Sequence, residues 1–221
     1  MQSGTMRGHH RGEWDPGSES HCVGWAPARI EEDQVQQYAA RLEVDYPEEL
    51  DRFTTFFRLF WVVPIGIVLA LLSIDGLWFA TALMIVFRVK YPRWWFDFVR
   101  ELARFGARVG AYVALATDKY PSTTDEQMVH VEIDYPDVEQ DLNRWLPLVK
   151  WFLANPHYIV ISFLAVAAVF VWIYAWFAIL FTGRYPRGAF DFMVGLARWV
   201  LRVEAYAFLM VTDEYPPISL R

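Results

Sequence analysis

The sequence lacks several features that would point to particular functions. Cys22 is the single cysteine among 221 residues, so no intrachain disulfide can form. No Gly-rich phosphate loop, no Gly-x-Ser-x-Gly elbow and no HExxH zinc motif is present. The net charge is -6, and no basic cluster lies outside the segments that flank apolar runs. We therefore expect no catalytic activity, no cofactor and no nucleic-acid binding.

The apolar runs also lack Asp, Glu, Lys and Arg away from their ends, which argues against an ion-coupled transporter. Hydrophobic residues make up 55% of the chain and aromatic residues 18%, and they are concentrated in blocks. A soluble domain averages roughly 45–50% apolar residues. The composition therefore predicts an integral membrane protein. The first apolar run begins near Phe53, so we expect the first span, not a signal peptide, to direct insertion.

Residues 1–41 are rich in Gly, Ser, His and charged side chains and show no helical periodicity. Such a segment buries too little apolar surface to offset its conformational entropy, so we expect a disordered tail. Its histidines and cysteine, His9, His10, His21 and Cys22, match no zinc spacing, and no metal site is predicted there.

An internal repeat determines the domain organisation. The segment 44–47 (VDYP) recurs at 133–136 (IDYP), and each copy closes with a Thr-Asp-x-Tyr-Pro motif that contains Asp118 or Asp213. Between them lie the repeated boundary residues Tyr91, Pro92 and Arg93 in the first copy and Tyr185, Pro186 and Arg187 in the second. We predict a first repeat over residues 42–124, a linker over 125–132 and a second repeat over 133–221.

The apolar region of each copy is followed by an amphipathic stretch. In the first copy, residues 53–89 are interrupted by Ser73-Ile74-Asp75-Gly76, which indicates a turn between two membrane helices. The second copy, residues 145–182, has no equally clear break, although its alignment with the first places one near 165–168. We predict an all-α integral membrane protein of two parallel repeats, each a transmembrane hairpin followed by an interfacial helix. A single long helix over residues 156–182 is the competing interpretation.

The distribution of Lys and Arg predicts the topology. Basic residues lie where each apolar region begins and ends, and the tip near Asp75 has none. They are Arg52, Arg58, Arg88, Lys90 and Arg93 in the first copy, and Arg144, Lys150, Arg184 and Arg187 in the second. We expect a multi-pass protein of the cytoplasmic membrane with both termini in the cytoplasm, its repeats related by a twofold axis along the membrane normal.

Residues 94–116 and 188–211 have the periodicity of amphipathic helices with a narrow polar stripe. The stripe contains Asp97, Arg100, Glu101, Arg104 and Arg108 in the first copy and Arg187, Asp191, Arg198 and Arg202 in the second. Its four candidates for lipid binding are Arg104, Arg108, Arg198 and Arg202. Gly195 leaves a position of the stripe open, and Glu204 lies off it. These four arginines either form salt bridges within the helix or bind lipid phosphates, because the spacing permits both.

Two other features have structural explanations. The Tyr-Pro pairs stop or redirect helices, because proline lacks a donor and disfavours helix at the preceding residue. His157 follows Pro156 near the start of a membrane segment, where an interfacial polar cap is the simplest interpretation and a pH-sensitive or metal site the alternative. The many tryptophans suit an interfacial belt.

Three segments of the second copy resemble the bacterial membrane family catalogued as domain of unknown function 4389 (DUF4389). They are WLPLVKW at 145–151, FTGRYP at 181–186 and TDEYPP at 212–217. The resemblance implies two tandem copies of the family's domain. The resemblance extends from about Asp45 to Ser219 and implies a membrane location. The first copy departs from the pattern, with 86–90 (VFRVK) before its Tyr-Pro pair and no counterpart of His157. This departure suggests a structural role for the first copy beside a more constrained second one.

We expect a non-catalytic membrane scaffold or accessory subunit that packs against another membrane protein or a second copy of itself. The expectation depends on the aromatic content and on a second span that is short enough to need protein cover. The alternative is a protein that binds, senses or transports anionic lipids through its arginines.

Overall fold

The computed structural model describes residues 38–71, 74–123, 127–138 and 142–220. Within these ranges the chain is mostly helical, as predicted, with one small sheet that the sequence analysis did not anticipate. The elements in order are β1 (Ala40–Val44), α1 (Arg52–Leu71), α2 (Ile74–Arg88), α3 (Arg93–Val113), β2 (Val129–Ile133), α4 (Pro147–Leu153), α5 (Asn155–Thr182) and α6 (Arg187–Ala207). Most of the predicted tail, including His9, His10, His21 and Cys22, lies outside the described residues.

The sheet pairs the polar segments that lead into the two repeats. β1 and β2 are antiparallel, and Leu42 lies opposite Val131. Side chains along β2 alternate between buried and exposed, so one face packs on the helices and the other carries charged residues. β1 begins at Ala40, inside the predicted tail, and β2 begins at Val129, inside the predicted linker. Both strands therefore begin in segments for which the sequence analysis predicted no regular structure.

The first copy contains two apolar helices, α1 and α2, with residues 72–73 between them. α1 bends by 50° between Arg52–Arg58 and Phe60–Ala70. Pro64 lies one turn beyond the bend, where it removes the hydrogen bond to the carbonyl of Phe60. α2 already begins at Ile74, so residues 74–76 of the predicted turn are helical, and Ser73 lies outside the described residues.

The hairpin predicted for the second copy is wrong, because α5 is one continuous helix of 28 residues. Residues 157–182 contain no glycine or proline, and the expected break near 165–168 falls in an Ala-Val-Ala-Ala stretch that favours helix. α5 ends at Gly183, whose φ of 74° is the left-handed conformation that glycine adopts easily. The competing interpretation, one long helix, is the one that the structure has.

The amphipathic helices α3 and α6 lie at the centre of the fold. β1 packs on α6 and β2 packs on α3, so each strand covers the helix of the other copy. A different face of α6 contacts α5 through Trp199 and Tyr206. Charged residues line the outer face of the sheet, whereas α1, α2 and α5 expose large apolar side chains.

One helix in the described part of the chain, α5, is long and apolar enough to cross a membrane, and only 11% of its most apolar window is buried. The bent α1 passes the same test if its two segments form one span. α2 is shorter than the roughly 17 residues that a span requires.

Candidate functional site

Reciprocal hydrogen bonds join the amphipathic helix of each copy to the strand of the other. Arg104 Nε donates to the carbonyl oxygen of Val131 at 3.0 Å, and Arg198 Nε donates to the carbonyl oxygen of Leu42 at 2.8 Å. Arg104 and Arg198 occupy equivalent positions of the repeats, as do Leu42 and Val131. Two of the four candidate arginines of the predicted stripe therefore hold the copies together.

The other two candidate arginines contact loops that close over the helices. Arg108 Nη1 donates to the carbonyl oxygen of Ser122 at 2.6 Å, and Arg202 Nη1 donates to that of Ser219 at 3.3 Å. The position left open by Gly195 is occupied by the C-terminal segment, since a Cβ there would lie 2.3 Å from the carbonyl oxygen of Leu220. These bonds use donors that the lipid-phosphate hypothesis requires, and that hypothesis stays a prediction.

The acidic members of the stripe make none of these bonds to strands and loops. Asp97 pairs with Arg100 at 3.2 Å, and Arg104 pairs with Glu101 at 2.8 Å. Asp191 is exposed. The salt bridges on α3 thus have the one-turn spacing that was expected, and Arg100 and Glu101, which belong to the same stripe, supply a partner in each pair.

The Tyr-Pro boundary motifs also interlock the copies. Tyr135 donates its hydroxyl to the carbonyl oxygen of Tyr91 at 2.6 Å, and Tyr46 makes the equivalent bond to Tyr185. Above these rings, the Arg93 guanidinium lies 4.5 Å from the ring centre of Tyr135, and Arg187 lies 4.5 Å from that of Tyr46. Such cation–π contacts stabilise the crossing of the two chain segments. Pro92 and Pro186 each directly precede the helix, where a missing donor costs nothing.

The tyrosines of these motifs reach across to the ends of the opposite amphipathic helices. The Tyr91 hydroxyl donates to the carbonyl oxygen of Leu209 at 3.1 Å, and the Tyr185 hydroxyl donates to that of Ala114 at 2.9 Å. Burial raises the pKa of both hydroxyls above the usual range. They remain protonated donors at every physiological pH.

Asp118 and Asp213 form equivalent ion pairs, with Arg58 and with Lys150. Lys150 Nζ lies 2.6 Å from Asp213 Oδ1, and the side chains of Arg58 and Lys150 are 2% and 0% exposed. Burial raises the pKa of Asp118 and lowers that of Lys150, with the ion pairs opposing both shifts. The sequence signal for these pairs was a cation at the same place in both copies.

His157 is buried in an aromatic cluster instead of forming an interfacial cap. Trp199 Nε1 donates to His157 Nδ1 at 3.1 Å, and the ring of Tyr215 lies 4.8 Å from the imidazole. The cluster joins the start of α5 to the end of α6. Among the described residues, no group of three His, Cys, Asp or Glu side chains is placed to hold a metal ion.

A cavity of about 270 Å³ lies between α3 and α6, bordered by β1 and by Leu69 of α1. Its lining is apolar except for Glu204, and α3 contributes small residues. A Cβ added at Gly106 or Gly110 would meet nothing within 4 Å, so the space beside α3 is open. Burial raises the pKa of Glu204 to about 7. The sequence analysis identified Glu204 only as a residue outside the stripe. The available signal was the difference between the copies at this position, where the first copy has Gly110.

The fold and these contacts define a helical protein of two interlocked repeats with one helix apolar and long enough for a membrane. The chain belongs to the family described as Domain of unknown function (DUF4389), whose family model matches residues 52–124 and 146–219. The two matches confirm both the predicted family and the tandem duplication. No curated protein and no solved structure is significantly similar to the chain.

Proposed function

We propose that this protein is a non-catalytic membrane scaffold or accessory subunit whose apolar helices pack against another membrane protein. The observation that carries the proposal is an aromatic stripe on the exposed face of α5. Its side chains are between 49% and 78% exposed: Phe163, Phe170, Tyr174, Phe177 and Phe181.

The aromatic stripe is narrow and regular. At about 100° per residue its five members fall within an arc of roughly 60° along α5. Phe177 and Phe181 stack with their ring planes 11° apart. Large rigid aromatic side chains supply much of the contact energy of protein interfaces. A surface that only needed to contact lipid tails would not require one residue class along one line.

The membrane placement is part of the proposal. We place α1, α2 and α5 in the bilayer and the charged face of the sheet in the cytoplasm. The hairpin of the first copy makes the two crossings, and the 15-residue α2 crosses where the bilayer is locally thinned. The apolar segment of the second copy begins and ends on the same body, where Lys150 pairs with Asp213 and Leu50 donates its N–H to the carbonyl oxygen of Gly183. This arrangement supports cytoplasmic termini, as does the distribution of Lys and Arg.

Cysteine labelling tests the placement. In a Cys22→Ser background, we expect Glu43→Cys to react with an impermeant maleimide only after the cytoplasmic side is opened. Ser73→Cys should react in intact cells. Labelling of both positions from the same side would contradict the hairpin crossing.

Native mass spectrometry of protein extracted in mild detergent tests the scaffold itself. We expect a second protein, or a second copy of this chain, to remain bound, and Phe170→Leu with Phe177→Leu to release it. Val169→Leu, on the same helix but outside the stripe, is the matched control. A monomer that retains anionic lipid and no protein would favour lipid binding, the alternative function.

A further inference from the structure

The cavity between α3 and α6 breaks the symmetry of the repeats at one pair of positions. Glu204 of α6 points to the cavity, and its counterpart on α3 is Gly110. The first copy folds with glycine at this position, so the repeat does not need a carboxylate there. The fold of the helix therefore does not require Glu204, and we look for its role in the cavity.

In the part of the chain that the structure describes, no cation pairs with the Glu204 carboxylate. Protein atoms enclose its side chain almost completely, with limited access through the mouth of the cavity. Among the described residues, no donor bonds to its carboxylate. An unpaired anion in apolar surroundings is costly, and a cation placed beside it removes much of that cost.

The cavity opens at the surface. Gly110 and Ala197 at its rim are exposed, and Leu69 of the apolar helix α1 borders it. A molecule dissolved in the membrane can thus reach Glu204 without crossing the charged sheet. The volume corresponds to roughly nine water-sized groups, which suits one alkyl tail and excludes a two-tailed lipid taken in whole.

We propose that this cavity binds a membrane amphiphile that carries an ammonium group, with the apolar tail between α3 and α6 and the cation paired with Glu204. The site goes beyond the scaffold function and does not depend on it. An anionic head group would meet the carboxylate with like charge, and a neutral head group would leave it unpaired.

The charge of the occupant determines how binding depends on pH. A cation binds the ionised carboxylate, so affinity should fall as the pH drops below the pKa of Glu204, about 7. Of the elements packed against α6, α5 places Tyr158 near Glu204. α3, β1 and α1 contribute no titratable side chain to the lining.

Photolabelling of the whole protein in nonionic maltoside detergent tests the proposal, because this detergent carries no ammonium group. Three diazirine probes share one ten-carbon tail and end in an ammonium, a carboxylate or a hydroxyl group. At pH 8 we expect the ammonium probe to label α3 and α6 about tenfold more than the other two. Unlabelled decylamine should compete, and competition by phosphatidylethanolamine would identify a lipid as the source of the ammonium group.

Substitutions at Glu204 and Gly106 distinguish recognition of the head group from occupation of the cavity by the tail. Glu204→Gln should abolish the preference for the ammonium probe and its pH dependence, whereas Glu43→Gln on the exposed face of the sheet should change neither. Gly106→Leu should reduce labelling by all three probes, and Gly110→Ala, which adds one methyl group, provides a milder filling. Equal labelling by the three probes, or an unchanged preference in Glu204→Gln, would overturn the proposal.

Discussion

Leu42 and Val131 lie directly opposite each other in the sheet and occupy the same position in the two repeats. A residue that pairs with its own counterpart in an antiparallel sheet places a local twofold axis between the two strands. Because each strand packs on the amphipathic helix of the other copy, neither repeat buries its own helix fully. The two copies form one interlocked body.

Interlocking predicts that the link between the copies is dispensable once the protein has folded. A protease site introduced at residues 124–126 should be cut without separating the halves. We expect both fragments to elute together in detergent, since the sheet and the bonds of Arg104 and Arg198 are intact. Fragments that separate without denaturant would show that the strand exchange contributes little.

The arginines of the stripe allow a direct comparison of the two hypotheses for them. Replacing Arg104 and Arg108 by Gln should lower the free energy of unfolding by about 1–3 kcal/mol, because bonds to Val131 and Ser122 are lost. Arg100→Gln, which loses partly exposed contacts with Asp97, Glu101 and the Phe96 ring but no bond to a strand or loop carbonyl, is the control. A loss of retained anionic lipid with unchanged thermal stability would instead support lipid-phosphate binding.

The buried ion pair of Lys150 and Asp213 should be sensitive to loss of one partner. Asp213→Asn leaves the Lys150 ammonium buried without a counter-charge, and we expect a loss of about 2–4 kcal/mol. Adding Lys150→Met should recover part of this loss, because the desolvated cation is then absent. Glu132→Gln, in the exposed pair with Arg41, should change stability by less than about 1 kcal/mol. Thermal unfolding in detergent measures all four proteins, and a double variant less stable than Asp213→Asn would contradict this explanation.

Glu204 makes stability depend on pH in a defined direction. Its pKa is higher in the folded chain than the usual value of 4.5, so the folded state binds more protons between pH 4.5 and about 7. Stability should therefore fall as the pH rises through this window. We expect Glu204→Gln to raise the free energy of unfolding at pH 8 by an amount on the order of 2 kcal/mol and to change it little at pH 4.5. An effect of the same size at both pH values would show that the carboxylate is not desolvated.

The sequence predicts the parts of this fold that have a local signal. The duplication, the apolar helices and the amphipathic helices all follow from periodicity and from the repeated motifs. The second hairpin was wrong because alignment with the first copy suggested a break that the local sequence, rich in helix-forming alanine, does not contain.

The sheet and the cavity had no comparable signal. Each strand is five residues long, and its partner lies about ninety positions away, so its stability comes from tertiary packing and not from local preference. The bonds of Arg104 and Arg198 to strand carbonyls depend on that same pairing. The cavity arises because small residues of α3 face larger ones of α6, a juxtaposition that appears only once the helices are placed.

Site-specific photocrosslinking in native membranes tests the scaffold proposal most directly. A photoreactive amino acid replaces Phe170 within the aromatic stripe or Val169, its exposed neighbour about 100° around α5. Both positions contact lipid if the helix is simply bathed in the bilayer. We expect a discrete protein adduct from position 170 and lipid adducts alone from position 169. Lipid adducts alone from both positions would contradict the proposal that the stripe packs against a protein.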